Sequence, residues 1–326
     1  MINFAQLDQE KMSSDYYVAA YITAYEDIEA VQRCLKGIER QSWLVKEVII
    51  IDNSAKSPVN LSILRTNLSV ILKAFPENIG VAGGLRIALD WALEQKYDFL
   101  WAFDQDSVPS SDCLKILLET YHTFHNKDYP LGIVAPVAWD SYTRKIITAA
   151  NFQKDQFIGY EPPYPTNCYE CDAPITSGSL ISLTAAKSVF SNSPVASLFI
   201  DGVDLEYGMS LIAKGYRNLI VPQAQLYHRF GSPLTIHWCK KKKLIYQYSP
   251  LRHYYICRNY TYLVLQYSKG KYWLFALRRR LSYLVKTSIV IYLFDPQNKF
   301  KKVRACWWGT FKGFVISLRK SYSSRK

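Results

Sequence analysis

The sequence predicts an α/β fold with a mostly parallel central sheet and flanking helices, followed by a basic, aromatic-rich helical region. Three observations predict it. Between residues 17 and 103, four apolar runs alternate with segments of helical spacing. Three of those runs end in polar residues, at the edge of a parallel sheet where ligands bind. Finally, the net charge of +13 is unevenly spread: residues 229–326 hold 22 Lys and Arg against one acid, Asp295, while residues 1–228 hold 18 against 26 acids.

The elements follow in order. Tyr17–Thr23 is an apolar strand, and Asp27–Arg40 carries apolar residues at 28, 31, 35 and 38, a helical period. Lys46–Asp52 is a near-continuous apolar strand that stops at an Asn53-Ser54 turn. Leu68–Phe75 is the third strand. Val81–Gln95 is a helix opened by Gly80, and Tyr97–Phe103 is the fourth strand. Strands alternating with helices of this length imply right-handed crossovers. Asp112–His125 then reads as a helix and Leu131–Val137 as a strand. Residues 138–174 are rich in Pro and Tyr and read as irregular. Ile175–Leu183 is a Ser/Gly-bearing strand. Phe199–Glu206 leads into a helix through Lys214, closed by Gly215, and two short strands follow at Leu219–Val221 and Gln225–His228. The expected organisation is a polar tail over 1–15, an α/β domain over 16–230 and a basic amphipathic helical region over 231–326.

Composition removes some classes. The N-terminus is polar and mixed in charge, unlike a signal peptide. No stretch reaches ~18 uncharged apolar residues, so no membrane-crossing helix is expected. The seven cysteines include a zinc-like spacing at Cys168 and Cys171, but no second pair completes four ligands, and reduced thiols are the plainer reading.

Asp104-Gln105-Asp106-Ser107 follows the run Phe99–Phe103. Two carboxylates one residue apart arise about once by chance in a chain of this size. Placed at the end of a buried strand, they offer hard oxygens to Mg²⁺ or Mn²⁺, which bridge phosphate oxygens. Asp52 ends the Ile-rich strand, either as a turn starter or as a hydrogen-bonding partner for a nucleoside. The segment Glu77–Gly84 is glycine-rich without a dinucleotide or Walker spacing; it allows either close ligand approach at a helix N-terminus or close helix packing. Asp201, Asp204 and Glu206 fall at a helix start, where acids favour the dipole and where one can act as a general base. His228 reads equally as a surface histidine and as a third metal ligand.

Thr23-Ala24-Tyr25, Ile51-Asp52-Asn53-Ser54, Asn78-Ile79-Gly80-Val81-Ala82-Gly83-Gly84, Asp104-Gln105-Asp106-Ser107, Phe199–Glu206, Gly215-Tyr216 and His228 occur in this order. Together they resemble a family 2 glycosyltransferase of the GT-A fold. The Asp-Gln-Asp-Ser form, the Phe-Ile-Asp-x-x-Asp-x-Glu run and the later Arg252–Asn259 are similar to the rhamnosyltransferase subgroup. The resemblance implies that Thr23, Tyr25 and Asp52 hold the nucleoside, and that Asn78, Gly83 and Gly84 line the donor pocket. It also implies that Asp104 and Asp106 bind the divalent ion with His228, that Asp104 lies near the donor ribose or phosphate, and that Asp204 is the base. Leu85-Arg86 and Tyr207-Gly208 depart from the residues common at those positions. The implied reaction is an inverting sugar transfer, from dTDP-rhamnose or another donor such as UDP-galactofuranose, to a glycan or undecaprenyl-diphosphate-linked acceptor. A metal-dependent nucleotidyltransferase is the rival enzyme reading, and it leaves Asp204 and His228 without a role. A nucleic-acid-binding protein is a third, and it leaves the acidic body without one.

In the tail, Trp307, Phe311, Phe314, Val315 and Leu318 form one helical stripe amid Lys301, Lys302, Arg304, Lys312, Arg319 and Lys320. Such helices lie in a membrane interface or bundle against their own domain. The first reading places the chain peripherally on the anionic cytoplasmic face of the cell membrane, with no nucleic-acid partner.

Overall fold

The computed structural model describes residues 16–160, 167–229, 233–238, 241–295 and 297–323. The expected polar tail over 1–15 lies outside the described residues. Contacts divide the chain into two compact units. One runs to Asn151 and continues with Gly159–Phe199 and Val203–Arg229; the other holds Phe152–Ile158, Ile200–Gly202 and Phe230–Lys326.

The first unit opens with β1 (Val18–Ala24), α1 (Ile28–Glu39), β2 (Glu47–Asp52), β3 (Val70–Ala74), α2 (Gly80–Glu94) and β4 (Phe99–Asp104). It continues with β5 (Ser107–Pro109), α3 (Cys113–Phe124), β6 (Leu131–Asp140), β7 (Ile146–Ile147), the hairpin strands β8 (Ala149–Gln153) and β9 (Gln156–Tyr160), whose residues Phe152–Ile158 fall in the second unit, β10 (Tyr169–Cys171) and β11 (Leu180–Ser182). α4 (Leu183–Val189), α5 (Val203–Ala213) and β12 (Arg217–His228) complete it. The main sheet orders its strands β10-β12-β6-β11-β4-β1-β2-β3, with β5 on β12 and β7 on β6. β3, β2, β1 and β4 are mutually parallel, as are β6 and β12, while β11 runs against both its neighbours.

Both faces of this sheet are covered, which is why its strands are apolar without alternation. Val18, Ala20, Ile22, Val48, Ile50, Phe99, Trp101 and Phe103 share one core with Val31, Leu35 and Ile38 of α1 and Leu114, Leu117 and Leu118 of α3. On the other face, α2 approaches so closely that a methyl on Gly84 would stand 2.6 Å from the Tyr21 hydroxyl. Asp27 caps α1 by accepting the Ala30 amide, the role its position predicts.

The α/β architecture and the C-terminal helices are those expected, with local corrections. Residues 138–174 contain strands β7 to β10 rather than being irregular throughout. The strand expected over 175–183 shrinks to three residues, because Gly178 turns the chain at φ +82°. The two short strands before residue 229 are one, β12, whose register shifts between Val221 and Gln225, around Pro222, which lacks an amide to donate.

The second unit contains an antiparallel hairpin, β13 (Pro233–Trp238) and β14 (Lys241–Tyr246), ahead of α6 (Pro250–Tyr267), α7 (Tyr272–Phe294) and α8 (Lys299–Ser323). The hairpin corrects the purely helical expectation. α8 meets α6 through Cys306, Gly309, Thr310, Gly313 and Ser317, all buried. A methyl on Gly309 would overlap the Tyr254 carbonyl oxygen, and one on Gly313 that of Arg258. Small residues let the two backbones touch. Of the stripe read as either a membrane-facing or a packing face, Trp307, Phe311 and Leu318 are exposed, while Phe314 packs against Val264, Leu265 and Ala276. No helix among the described residues is long and apolar enough to cross a membrane.

Candidate active site

The register of the sheet sets the site. Thr23 on β1 stands opposite Ile51 on one side and Asp104 on the other, and the next residue, Ala24, stands opposite Asp52. Three strands thus end in line, and the polar residues that follow them gather at one edge.

Beyond β1, the chain is clamped to the turn after β4. The Gln105 side chain accepts the Tyr25 amide at 2.7 Å and donates to the Tyr25 carbonyl at 2.9 Å. Tyr25 keeps its ring exposed at this edge. Asp104 and Ser107 are bridged by Ser177: its hydroxyl accepts the Asp104 amide at 3.0 Å and lies 2.6 Å from the Ser107 hydroxyl. The Ser107 hydroxyl in turn lies 2.8 Å from His228 Nδ1, and Asp106 Oδ1 lies 3.3 Å from the same nitrogen. β5 pairs with the end of β12, setting Ser107 opposite His228. The aspartates and His228, far apart in sequence, are thereby neighbours. Burial works against a charged His228, but the Asp106 hydrogen bond and the carboxylates of Asp104, Asp106 and Asp140 outweigh it and raise its pKa.

Asp52 is buried, and its two oxygens accept the amides of Ser54 (2.9 Å) and Val59 (2.7 Å). Its first duty is to hold the loop after β2. Glu26, which motif reading passed over, shares that duty: its carboxylate accepts the amides of Ala55, Lys56 and Ser57 at 3.0, 2.9 and 2.7 Å. Those amide bonds, the Lys56 one first, hold its pKa low.

The start of α2 is closed by protein groups. Asn53 accepts the Ile79 amide, Asn78 accepts the Gly80 amide and the Phe199 carbonyl accepts the Ala82 amide, all at 3.0 Å. Asn78 adopts φ +55° and Gly80 φ +72°, and a side chain on Gly80 would strike Phe199. Gly83 and Gly84 are buried; Gly83 lies over Ile79, and Gly84 serves the approach of α2 to β1 and β2. Helix packing is therefore the reading the geometry carries for Gly84.

The acid cluster at α5 separates into roles. Glu206 is buried and accepts the Ser193 hydroxyl (2.9 Å), the Val195 amide (3.2 Å) and the Ser210 hydroxyl (3.0 Å). Within the second unit, Arg252 forks onto Asp201 at 3.0 and 3.1 Å, and Asn259 donates to the carbonyls of Ile200 and Asp201. Of the three carboxylates, that of Glu206 thus holds hydroxyls and a backbone amide, and that of Asp201 is taken up by Arg252. Asp204 lies in the first turn of α5, half-buried, with Oδ1 accepting the Leu205 amide at 2.9 Å.

In the sequence, Gln105 and Ser107 stand only as members of the Asp-Gln-Asp-Ser motif, without a role, and Ser177 is not singled out at all; the geometry brings all three to the candidate site. Ser107 adjoins the paired aspartates; Ser177 gives no signal beyond its place in a Ser/Gly-bearing run.

Comparison with known proteins adds to this geometry. Residues 20–172 match the model of the family described as "Glycosyl transferase family 2". The chain is 24% identical over 286 residues to the dTDP-rhamnosyl transferase RfbF of Shigella flexneri, a match covering 86% of this chain and 89% of the relative. Its fold is similar to S. aureus TarS residues 1–349, at a TM-score of 0.55 and 13% identity, covering 95% of this chain and 92% of that one. GalNAc-T7, whose crystal structure contains UDP, GalNAc and Mn²⁺, aligns at a TM-score of 0.56 and 14% identity over 92% of this chain and 57% of its own. Against a longer TarS structure, the chain spans about half the length, 48%.

Proposed function

From the premise that this chain belongs to glycosyltransferase family 2, with the GT-A fold, we propose that it is an inverting rhamnosyltransferase. Its donor is dTDP-rhamnose and its acceptor a lipid-linked or polysaccharide glycan. The observation that carries this reading is the gathering of Thr23 and Asp104 at the ends of adjacent strands with Asp106, Ser107 and His228, brought there by β5 pairing with β12, and with His228 Nδ1 3.3 Å from Asp106. The relative named for dTDP-rhamnose supports the sugar.

Among the described residues, no group of three or more His, Cys, Asp or Glu side chains is drawn together tightly enough to hold an ion by itself. The donor set still fits Mg²⁺ or Mn²⁺, which keep part of their shell for water and substrate phosphates. Asp104, Asp106 and His228 would hold the ion. When bound, it neutralises the charge that develops on the nucleoside diphosphate as it leaves. Thr23 and the clamped backbone at Tyr25 form the wall for the nucleoside, and Asp52, Glu26 and Asn53 fix the loops beside it. Asp204 takes the proton of the acceptor hydroxyl as that oxygen attacks the anomeric carbon. One displacement suffices, so the anomeric configuration inverts and the enzyme supplies no covalent nucleophile.

The exposed aromatic and aliphatic side chains of α7 and α8, set among Lys and Arg, support a peripheral seat on an anionic membrane face, where a lipid-linked acceptor would be met. Incubating the protein with a panel of dTDP- and UDP-sugars and a chelator-reversible divalent ion tests the reading. Transfer of rhamnose that stops with chelator is expected. Turnover of only UDP-linked hexoses would replace the donor assignment with UDP-galactofuranose or another hexose. Transfer of the nucleotidyl group would refute glycosyl transfer.

A further inference from the structure

The second unit contains a pocket of 520 Å³ lined by Asp155, Tyr272, Phe275, Arg278, Arg279, Ser282, Tyr283 and Lys286. All but Asp155 come from α7, in pairs or singly at steps of about one turn (272, 275, 278/279, 282/283, 286), hence from one face of that helix. Its charge is strongly one-sided. Asp155, the single acid, is already bound by Arg279 at 3.1 Å. Among the described residues, Arg278 and Lys286 have no ion-pair partner. Lys154 and Lys271 stand near the Tyr272 ring, 5.8 and 5.7 Å from its centroid, adding two cations at the rim.

The neighbouring face of the same helix is apolar and uncovered: Leu274, Leu281, Val285, Ile289 and Tyr292 are exposed. A ligand that satisfies both faces carries a phosphate and a hydrocarbon chain. We propose that the α7 pocket is a binding site for the phosphate headgroup of an anionic phospholipid. Its acyl chains would lie along Leu281, Val285 and Ile289 while Arg278 and Lys286 grip the phosphate. The proposal deepens the membrane-facing reading of this unit and rests on it. It differs from a diffuse electrostatic attraction, in which any two exposed cations count alike.

Flotation of the full-length protein with phosphatidylcholine vesicles, with and without an equal part of phosphatidylglycerol, tests it. Wild type should float only with the anionic vesicles. The double variant Arg278→Ala/Lys286→Ala should weaken that binding about tenfold more than Lys301→Ala/Arg304→Ala, which removes the same charge from α8. Equal losses in the two variants, with wild type bound, would overturn the pocket and keep the membrane reading. Failure of wild type to float overturns both. Inorganic phosphate bound in calorimetry by wild type and not by Arg278→Ala/Lys286→Ala, with vesicle flotation of that variant unchanged, would assign the pocket to free phosphate and overturn the lipid. All four replaced side chains are at least partly exposed, and matched circular dichroism checks that the variants are folded.

Discussion

The two units use charge in opposite ways. In the first, carboxylates turn inward onto the backbone: Asp52 and Glu26 hold five amides of one loop, and Glu206 holds the turn before α5. In the second, the one acid after residue 229 is consumed inside, where Asp295 pairs with the equally buried Lys302 at 2.6 Å. Exposed cations and aromatic groups line α7 and α8. An acid in the first unit is thus more often a fastener than a reactant. In the second, stability hangs on a few interior contacts while the exterior is left for a partner.

The largest expected effect breaks that comparison at its exception. Asp204→Asn should lower kcat about 10²–10⁴-fold while leaving donor affinity in place, measured by transfer assay and calorimetry. Asp201→Asn, which weakens the Arg252 fork, should instead lower the melting temperature and spare the turnover of the folded fraction. If Asp201→Asn loses turnover and Asp204→Asn does not, the base has been assigned to the wrong carboxylate.

Next comes the interior of the second unit. Asp295→Asn leaves Lys302 charged in a buried place, and should cost about 3–5 kcal/mol in urea unfolding. A cost below that of a surface substitution would mean the pair is solvated. Gly313→Ala should cost about 1–3 kcal/mol by pushing α8 off α6, while Phe311→Ala on the exposed side of the same helix should cost little. The reverse order would restore the aromatic stripe as the packing face.

The smallest effect is a pH slope. His253 is buried with Tyr248, Lys302, Asp295 and Arg252 about it; burial first, then Lys302, pulls its pKa down to about 4. Its folded value lies below its unfolded one, so the stability tied to neutral His253 is complete above the ordinary value of 6.5 and fades as pH falls towards the folded value. Denaturation midpoints between about pH 7 and pH 4 should fall in wild type and fall less in His253→Gln. A slope unchanged by the substitution removes His253 as its source.

The central sheet was legible because strands buried on both faces leave an unmistakable apolar run, as Lys46–Asp52 and Phe99–Phe103 do. The edge elements were not. Strands β7 to β10 have two to five residues each and little periodicity. Of the site, the aspartates and His228 were legible as types at strand ends. Their joining through Ser107 and Ser177 was not, because it depends on β5 pairing with β12, a non-local fact. The tail stayed open for another reason: an apolar period marks a face without saying whether membrane or protein covers it. At α8 the seam against α6 runs through Gly309 and Gly313, with no side chain between the two backbones at those points.

The loop between β2 and β3 is fastened through its main chain. The carboxylates of Asp52 and Glu26 reach the amides of residues 54–57 and 59, and none of those bonds depends on which side chains those residues carry. Evolution, or an engineer, can therefore rewrite the exposed side chains of Ala55, Lys56 and Ser57 while the loop keeps its shape. If the proposed nucleoside wall beside it binds the donor, this rim is interchangeable in chemistry and constant in form, a place where donor preference can drift without a new fold.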